Sequence, residues 1–157
     1  MLNLNFATLI KGYRHYAALS HAELLASLGW SERAGAPGYA RNGAILTSLA
    51  LLTCSAPLSG PLRIDAGPLV GRKVENGANR LADWLSVRHQ TPERISLDGG
   101  LGQVAYQLFG RRGIAAFIQG TGSAGGQIAV IDGRDASVHC IAAETCHPLE
   151  VRFWEIA

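Results

Sequence analysis

Asn42-Gly43-Ala44-Ile45-Leu46-Thr47-Ser48-Leu49-Ala50-Leu51-Leu52 is the stretch on which the reading of this chain turns. Asn42 is a good N-cap residue, because its side-chain oxygen can accept a bond from an otherwise orphaned backbone N–H. Apolar residues then occupy nearly every face, with Thr47 and Ser48 the polar exceptions, so the stretch predicts a helix buried on most sides. The Gly/Pro/Tyr segment Gly35-Ala36-Pro37-Gly38-Tyr39 leads into it as a loop. Pro57 forbids continuation just beyond Cys54. A helix with so little polar surface has to be the element on which other layers pack.

Outward from it, the flanks also read as helical. Phe6 to Leu28 gives two helical pieces; in the second, Ser20 and Glu23 form a capping box and Leu24, Leu25 and Leu28 supply the apolar face. Gly29 ends that helix, and residues 31–40 form a loop rich in glycine and charge. Ser55 to Arg72 is irregular, punctuated by Pro57, Pro61 and Pro68. Glu75 to Val87 returns to helical spacing, with Ala78, Leu81, Trp84 and Leu85 on one stripe, which makes Trp84 most simply a core residue, with stacking on a ligand the alternative. Thr91-Pro92-Glu93 breaks the chain, and a short helix around Leu101 to Phe109 ends at Gly110.

The last third changes character. Gly113–Ile118, Gln127–Ile131, Val138–Ala142 and Val151–Ile156 read as strands, separated by turns such as Asp132-Gly133. Helices first and short strands second indicate an α+β fold, with N-terminal helices packed on a C-terminal antiparallel sheet of about four or more strands. We expect one domain over residues 1–157, helical to about residue 110 and sheet from 111. The loop Thr121-Gly-Ser-Ala-Gly-Gly126 is not a phosphate cradle, since it lacks a Gly-Lys-Ser/Thr ending and precedes a strand.

Composition excludes several function classes. A net charge of +2 over 157 residues, with no basic run, gives no electrostatic footprint for nucleic acid. No stretch reaches the ~20 apolar residues of a membrane span. The start Met1-Leu2-Asn3-Leu4-Asn5-Phe6 lacks a Sec-type leader, so synthesis in the cytoplasm and any export by a leaderless route are expected. Cys54, Cys140 and Cys146 include no Cys-x-x-Cys pair, and His15, His21, His89, His139 and His147 are scattered, so no metal site and no cofactor is expected. Cys140 and Cys146 can form a local disulfide in an oxidising compartment or remain reduced thiols near a turn.

Element order and several local blocks together resemble a known group of enzymes. Helix, central helix, helix, then antiparallel strands is the order of papain-like and NlpC/P60-like cysteine hydrolases. Asn42-Gly43-Ala44-Ile45-Leu46-Thr47-Ser48-Leu49-Ala50-Leu51 resembles the Asn-x-Cys/Cys-Ala-x-Arg-x-Ser-x-Ala-Leu segment of the fourth family of type VI secretion amidase effectors. Gly110-Arg-Arg-Gly-Ile-Ala-Ala-Phe117 and Gly126-Gln-Ile-Ala-Val-Ile-Asp-Gly133 are similar to its Gly-x-x-Gly-Ile and Gly-His-Ile-Asp-Leu-Trp-x-Gly strands. Gly71 to Leu85 looks like its middle helix, and Val151-Arg-Phe-Trp-Glu-Ile156 resembles its closing strand.

The resemblance implies an effector delivered by a type VI apparatus into a neighbour's periplasm. There the family cleaves the peptidoglycan stem peptide between D-glutamate and meso-diaminopimelate, and cognate immunity proteins block it. That chemistry needs a thiolate at a helix N-terminus and a histidine base on the facing strand. The matching positions here are Gly43 and Gln127, with Asp135 and His139 in the region of the third, orienting group, and the family arginine replaced by Leu46. Glycine has no side chain and glutamine does not titrate, so neither can perform its family role.

Other residues make poor substitutes. Cys54 lies about 16 Å along the helix from position 43, too far for a base placed there. His139 and Cys140 would face opposite sides of a strand. Cys146 and His147 sit beside Pro148 in a turn, where apposed thiol and imidazole geometry is demanding.

The expected function is therefore a catalytically degenerate homologue that binds a cell-wall stem peptide, an immunity-like protein or a secretion component. Asn42, Ser48 and Asp132 are the candidates for its groove. An active amidase with relocated residues and an interaction domain unrelated to the cell wall are the alternatives.

Overall fold

The structure is a computed structural model that describes residues 2–120 and 126–157; most of the glycine loop read at 121–126 lies outside the described residues. The chain opens with α1 (Phe6–Ala17), whose cap Asn5 accepts from the Thr8 N–H at 3.0 Å. After Ser20 comes α2 (His21–Leu28), closed by the expected capping box with Glu23. Gly29 ends it in the left-handed region at φ 76°, and a Cβ there would fall 2.9 Å from the Asp65 backbone, so both conformation and space require glycine. A single 3₁₀ turn at Ser31–Arg33 leads toward α3 (Gly43–Thr53).

α3 is the hub. Every residue from Ala44 to Leu52 is buried, including Thr47 and Ser48 at 0% exposure. Burying each of its leucines contributes about 1.5–3 kcal/mol relative to exposure. α1 lies across it at Gly12, where a Cβ would stand 3.1 Å from the Thr53 hydroxyl, so the small residue sets the closeness of that crossing.

Beyond α3, a two-stranded ribbon joins β1 (Leu62–Arg63), inside the stretch read as irregular, to β2 (Lys73–Val74), just past its end. Then follow α4 (Ala78–Arg88), β3 (Glu93–Ile95), α5 (Gly100–Leu108), β4 (Gly113–Ile118), β5 (Gln127–Ile131), α6 (Ala136–Ala143) and β6 (Glu150–Glu155). The main sheet has the order β3-β6-β4-β5, antiparallel throughout, with Ala115 opposite Phe153 and Ala129. All six residues of β4 are buried, as a strand covered on both faces requires. Trp154 and Trp30 are also enclosed, and each indole N–H is satisfied by a backbone oxygen, of Gln90 at 2.9 Å and of Arg63 at 2.7 Å. Trp84 is partly buried and packs against this core. Among the described residues no helix is long and apolar enough to cross a membrane.

The α+β architecture matches the expectation, but one strand is reassigned. Residues 138–142, read as a strand, lie within α6. Its buried residues Ala136, Cys140 and Ala143 recur at four and three, a helical spacing that β-branched Val138 and Ile141 mask in a short window. Both of those side chains point outward, 63% and 64% exposed. The missing fourth strand is β3, directly after Pro92, which pairs with β6 through Glu93 opposite Phe153. Helices and strands therefore do not separate at residue 110: β3 precedes α5, and α6 interrupts the strands. The helix read from Glu75 begins at Ala78, because Val74 belongs to the ribbon and Glu75 and Asn76 to the connection after it.

Candidate functional site

The site is built where the start of α3 meets the start of β5. Asn42 holds an extended backbone (φ −147°, ψ 172°) and its Oδ1 accepts from the Ile45 N–H at 2.9 Å, which fixes where the helix begins. Its Nδ2 donates to the Asn76 carbonyl at 3.1 Å, tying the cap to the segment ahead of α4. Asn76 in turn donates to the Gly38 carbonyl at 3.0 Å, so one amide locks the loop before α3 to the turn before α4. Asn76 was not singled out from the sequence. The helix read from Glu75 includes it, and only the structure places it in the connection between β2 and α4.

Gly43 and Gln127 line the same small cavity, about 110 Å³, together with Asn42, Asn76, Ala78 and Gly126. A site for a drug-sized ligand is typically about 300–1,000 Å³, so little more than a few waters can enter. The decisive contact is between backbones. A Cβ on Gly43 would lie 2.1 Å from the Ile128 carbonyl oxygen and 3.3 Å from its carbon. Gly43 is thus required by close approach to β5, not by an unusual φ. A cysteine there would need α3 and β5 to part.

The remaining expected residues are engaged elsewhere. Ser48 is fully buried; its hydroxyl donates to the Glu75 carbonyl at 2.8 Å and accepts from the Glu75 N–H at 3.2 Å, pinning α3 to the β2–α4 connection. Asp132 pairs with Arg14 of α1 and accepts from the Arg134 N–H at 3.1 Å. Asn42, as the helix cap, is occupied through both ends of its amide.

Asp135 and His139 form a pair of their own, one turn apart, with Oδ2 to Nε2 at 3.5 Å, and neither lines the cavity. Burial pushes the Asp135 carboxyl up, but His139 and the Asp132 N–H outweigh it and hold the group below its usual range. Tyr13 lies within reach of that charge. Burial first, and then Asp135, push its phenol up to about 12, while Arg41 works the other way.

The thiols are poor nucleophiles. Cys54 is the C-cap of α3, at the negative end of the helix dipole, and burial raises its pKa. Burial, aided by Glu144, pushes Cys140 up to about 11, and burial also raises Cys146, whose Sγ lies 3.1 Å from the Ala143 carbonyl oxygen. Reactive cysteines need the opposite shift. Cys140 and Cys146 are free, with no disulfide between them. His139 and Cys140 are neighbours on a helix rather than a strand, and Cys140 is turned into the core. Among the described residues no group of three or more His, Cys, Asp or Glu is placed to hold a metal ion.

No family model matches the chain, and no curated protein matches it in sequence. Solved structures do match in shape. A type VI effector–immunity complex Tae4–Tai4 from Salmonella Typhimurium is similar with a TM-score of 0.75 and 16% identity, over 99% of this chain and 100% of that one. The corresponding complex from Enterobacter cloacae gives 0.73 and 16%, with coverage of 99% and 100%. A crystal structure of the type VI effector Tae4 from Enterobacter cloacae gives 0.72 and 16%, with coverage of 99% and 98%. Across nearly its whole length, then, the chain is built on the fold of the type VI effector Tae4, at an identity that carries the fold and leaves its chemistry to be read from its own residues.

Proposed function

We propose that this chain is a catalytically inert form of the amidase-effector fold, acting by binding rather than by cutting. The observation that supports this is the closed start of α3, where the Ile128 carbonyl oxygen occupies the space that a side chain on residue 43 would need. Cysteine catalysis requires a thiolate with a base within about 3 Å and a carbonyl carbon presented to both. Here residue 43 has no side chain, residue 127 is a glutamine, and the adjoining cavity of about 110 Å³ is too small for a peptide. Delivery by a type VI apparatus into a target periplasm and a partner of the immunity-protein kind belong to the same reading. They are supported by the fold likeness to Tae4 structures described as effector–immunity complexes.

Incubation of the purified protein with muropeptides, followed by mass spectrometry, tests the reading. No loss of the amide between D-glutamate and meso-diaminopimelate is expected. Robust cleavage at that bond, abolished by no chelator, would overturn it.

A further inference from the structure

A concavity of about 710 Å³ lies away from the closed site, alongside α1 and the far end of α3. Leu52 at the end of α3 is about 14 Å along the helix axis from Gly43. The groove's character does not depend on whether the closed site is inert. Its floor is apolar, formed by Gly12, Tyr16, Leu52 and Leu69. Gly12 deepens it, because the close crossing with Thr53 leaves no side chain there. Lys11 and His15 stand on the α1 wall and Arg72 on the opposite one, just ahead of β2. Among the described residues no carboxylate lines the groove. Elsewhere the chain pairs many of its arginines with acids, as in Arg111 with Glu93 and Glu155 and Arg152 with Asp83 and Glu150. Among the described residues Lys11 and Arg72 have no such partner, and the Arg72 guanidinium is anchored by the Ala56 carbonyl at 2.6 Å, which holds its charge in place.

We propose that this groove is a docking site for a short acidic segment of a partner protein, with carboxylates on Lys11 and Arg72 and apolar side chains on the floor. The α1 wall runs from Ala7 to Tyr16. That is about 14 Å of helix, the length of roughly four residues of extended chain. A segment that carries both acidic and apolar residues matches a lining that offers both cations and an apolar floor. A lipid carries its charge at one end, whereas these two cations come from two walls.

The test is fluorescence anisotropy of a fluorescein-labelled hexapeptide of alternating Leu and Glu titrated with the 157-residue protein. Saturable binding is expected, weakening with added salt and by about tenfold in Lys11→Glu and again in Arg72→Glu. Lys11 is exposed, so Lys11→Glu should melt as the parent does and carries the test even if loss of the Arg72 bond disturbs folding. Absence of saturable binding, equal binding of a Leu/Lys hexapeptide, or unchanged affinity in Lys11→Glu overturns the proposal. Dodecanoate binding where the acidic peptide does not bind also overturns it and gives the groove to a lipid.

Discussion

Replacing Gly43 by alanine tests the closed site through the sign of a stability change. Were the start of α3 open, Gly43→Ala should be neutral or stabilise, since alanine exceeds glycine in a helix by up to about 1 kcal/mol. In this structure the added Cβ stands 2.1 Å from the Ile128 carbonyl oxygen, where ordinary contact begins at 3.4 Å, so α3 and β5 must separate by about 1.3 Å. Neither side yields freely. α3 is capped by Asn42 and buried along its length, while β5, although an edge strand, is hydrogen-bonded to β4 and packed on α1 and α3. Overpacking of this kind costs typically about 1–3 kcal/mol, more than the propensity gain. For a chain of 157 residues, a net loss of about 1 kcal/mol lowers Tm by about 2–4 °C. Thermal unfolding followed by circular dichroism on parent and variant gives the answer. A Gly43→Ala protein that melts at or above the parent temperature would refute the closure argument. The double variant Gly43→Cys with Gln127→His extends the same reasoning: it should be less stable and should still leave muropeptides uncut.

Further tests address the interior and its charges. Thr47 is fully buried and its hydroxyl has no hydrogen-bond partner among the described residues, so Thr47→Val should raise stability by about 1 kcal/mol in urea unfolding; a loss would mean the hydroxyl is satisfied. Ser48→Ala removes both bonds to Glu75 and should lower stability by about 1–2 kcal/mol by the same measurement. The folded carboxyl of Asp135 is held below its ordinary range, so its contribution is complete above the unfolded pKa and is lost as pH falls through the folded one. The stability difference between parent and Asp135→Asn should therefore shrink on acidification below about pH 4, and a difference that grows there would contradict the pairing with His139. Cys140, at 2% exposure and with its thiol near pH 11, should resist iodoacetamide at neutral pH until the chain is unfolded, as mass spectrometry of the alkylated peptides would show.

Helix caps were legible because their signals are local. Asn42 before an apolar run and Ser20 with Glu23 specify helix starts through bonds spanning three residues, and Gly29 marks an end through its own φ. α6 was misread because period-two and helical patterns are hard to separate over eight residues when the β-branched ones face solvent. β3 was missed because three residues after a proline carry almost no pattern; only pairing with β6 defines it. Roles within the site divided the same way. Loss of the thiol and imidazole chemistry was visible at Gly43 and Gln127, since chemistry resides in side-chain identity. What Asn76, Ser48 and Asp132 tie together was not, because the elements they join are distant in sequence: Gly38 and Asn42 for Asn76, Glu75 for Ser48 and Arg14 for Asp132.

By itself the sequence determined that residue 43 cannot be a nucleophile, that a buried helix starts there, and that helices precede most of the sheet. Only the tertiary structure decided that glycine is demanded at that position. The requirement arises from one carbonyl oxygen of β5, 85 residues further along the chain, and a backbone group common to every residue leaves no mark in the sequence. The groove beside α1 is tertiary in the same sense, since Lys11 and Arg72 become neighbours across an apolar floor only once α1, α3 and the approach to β2 have packed.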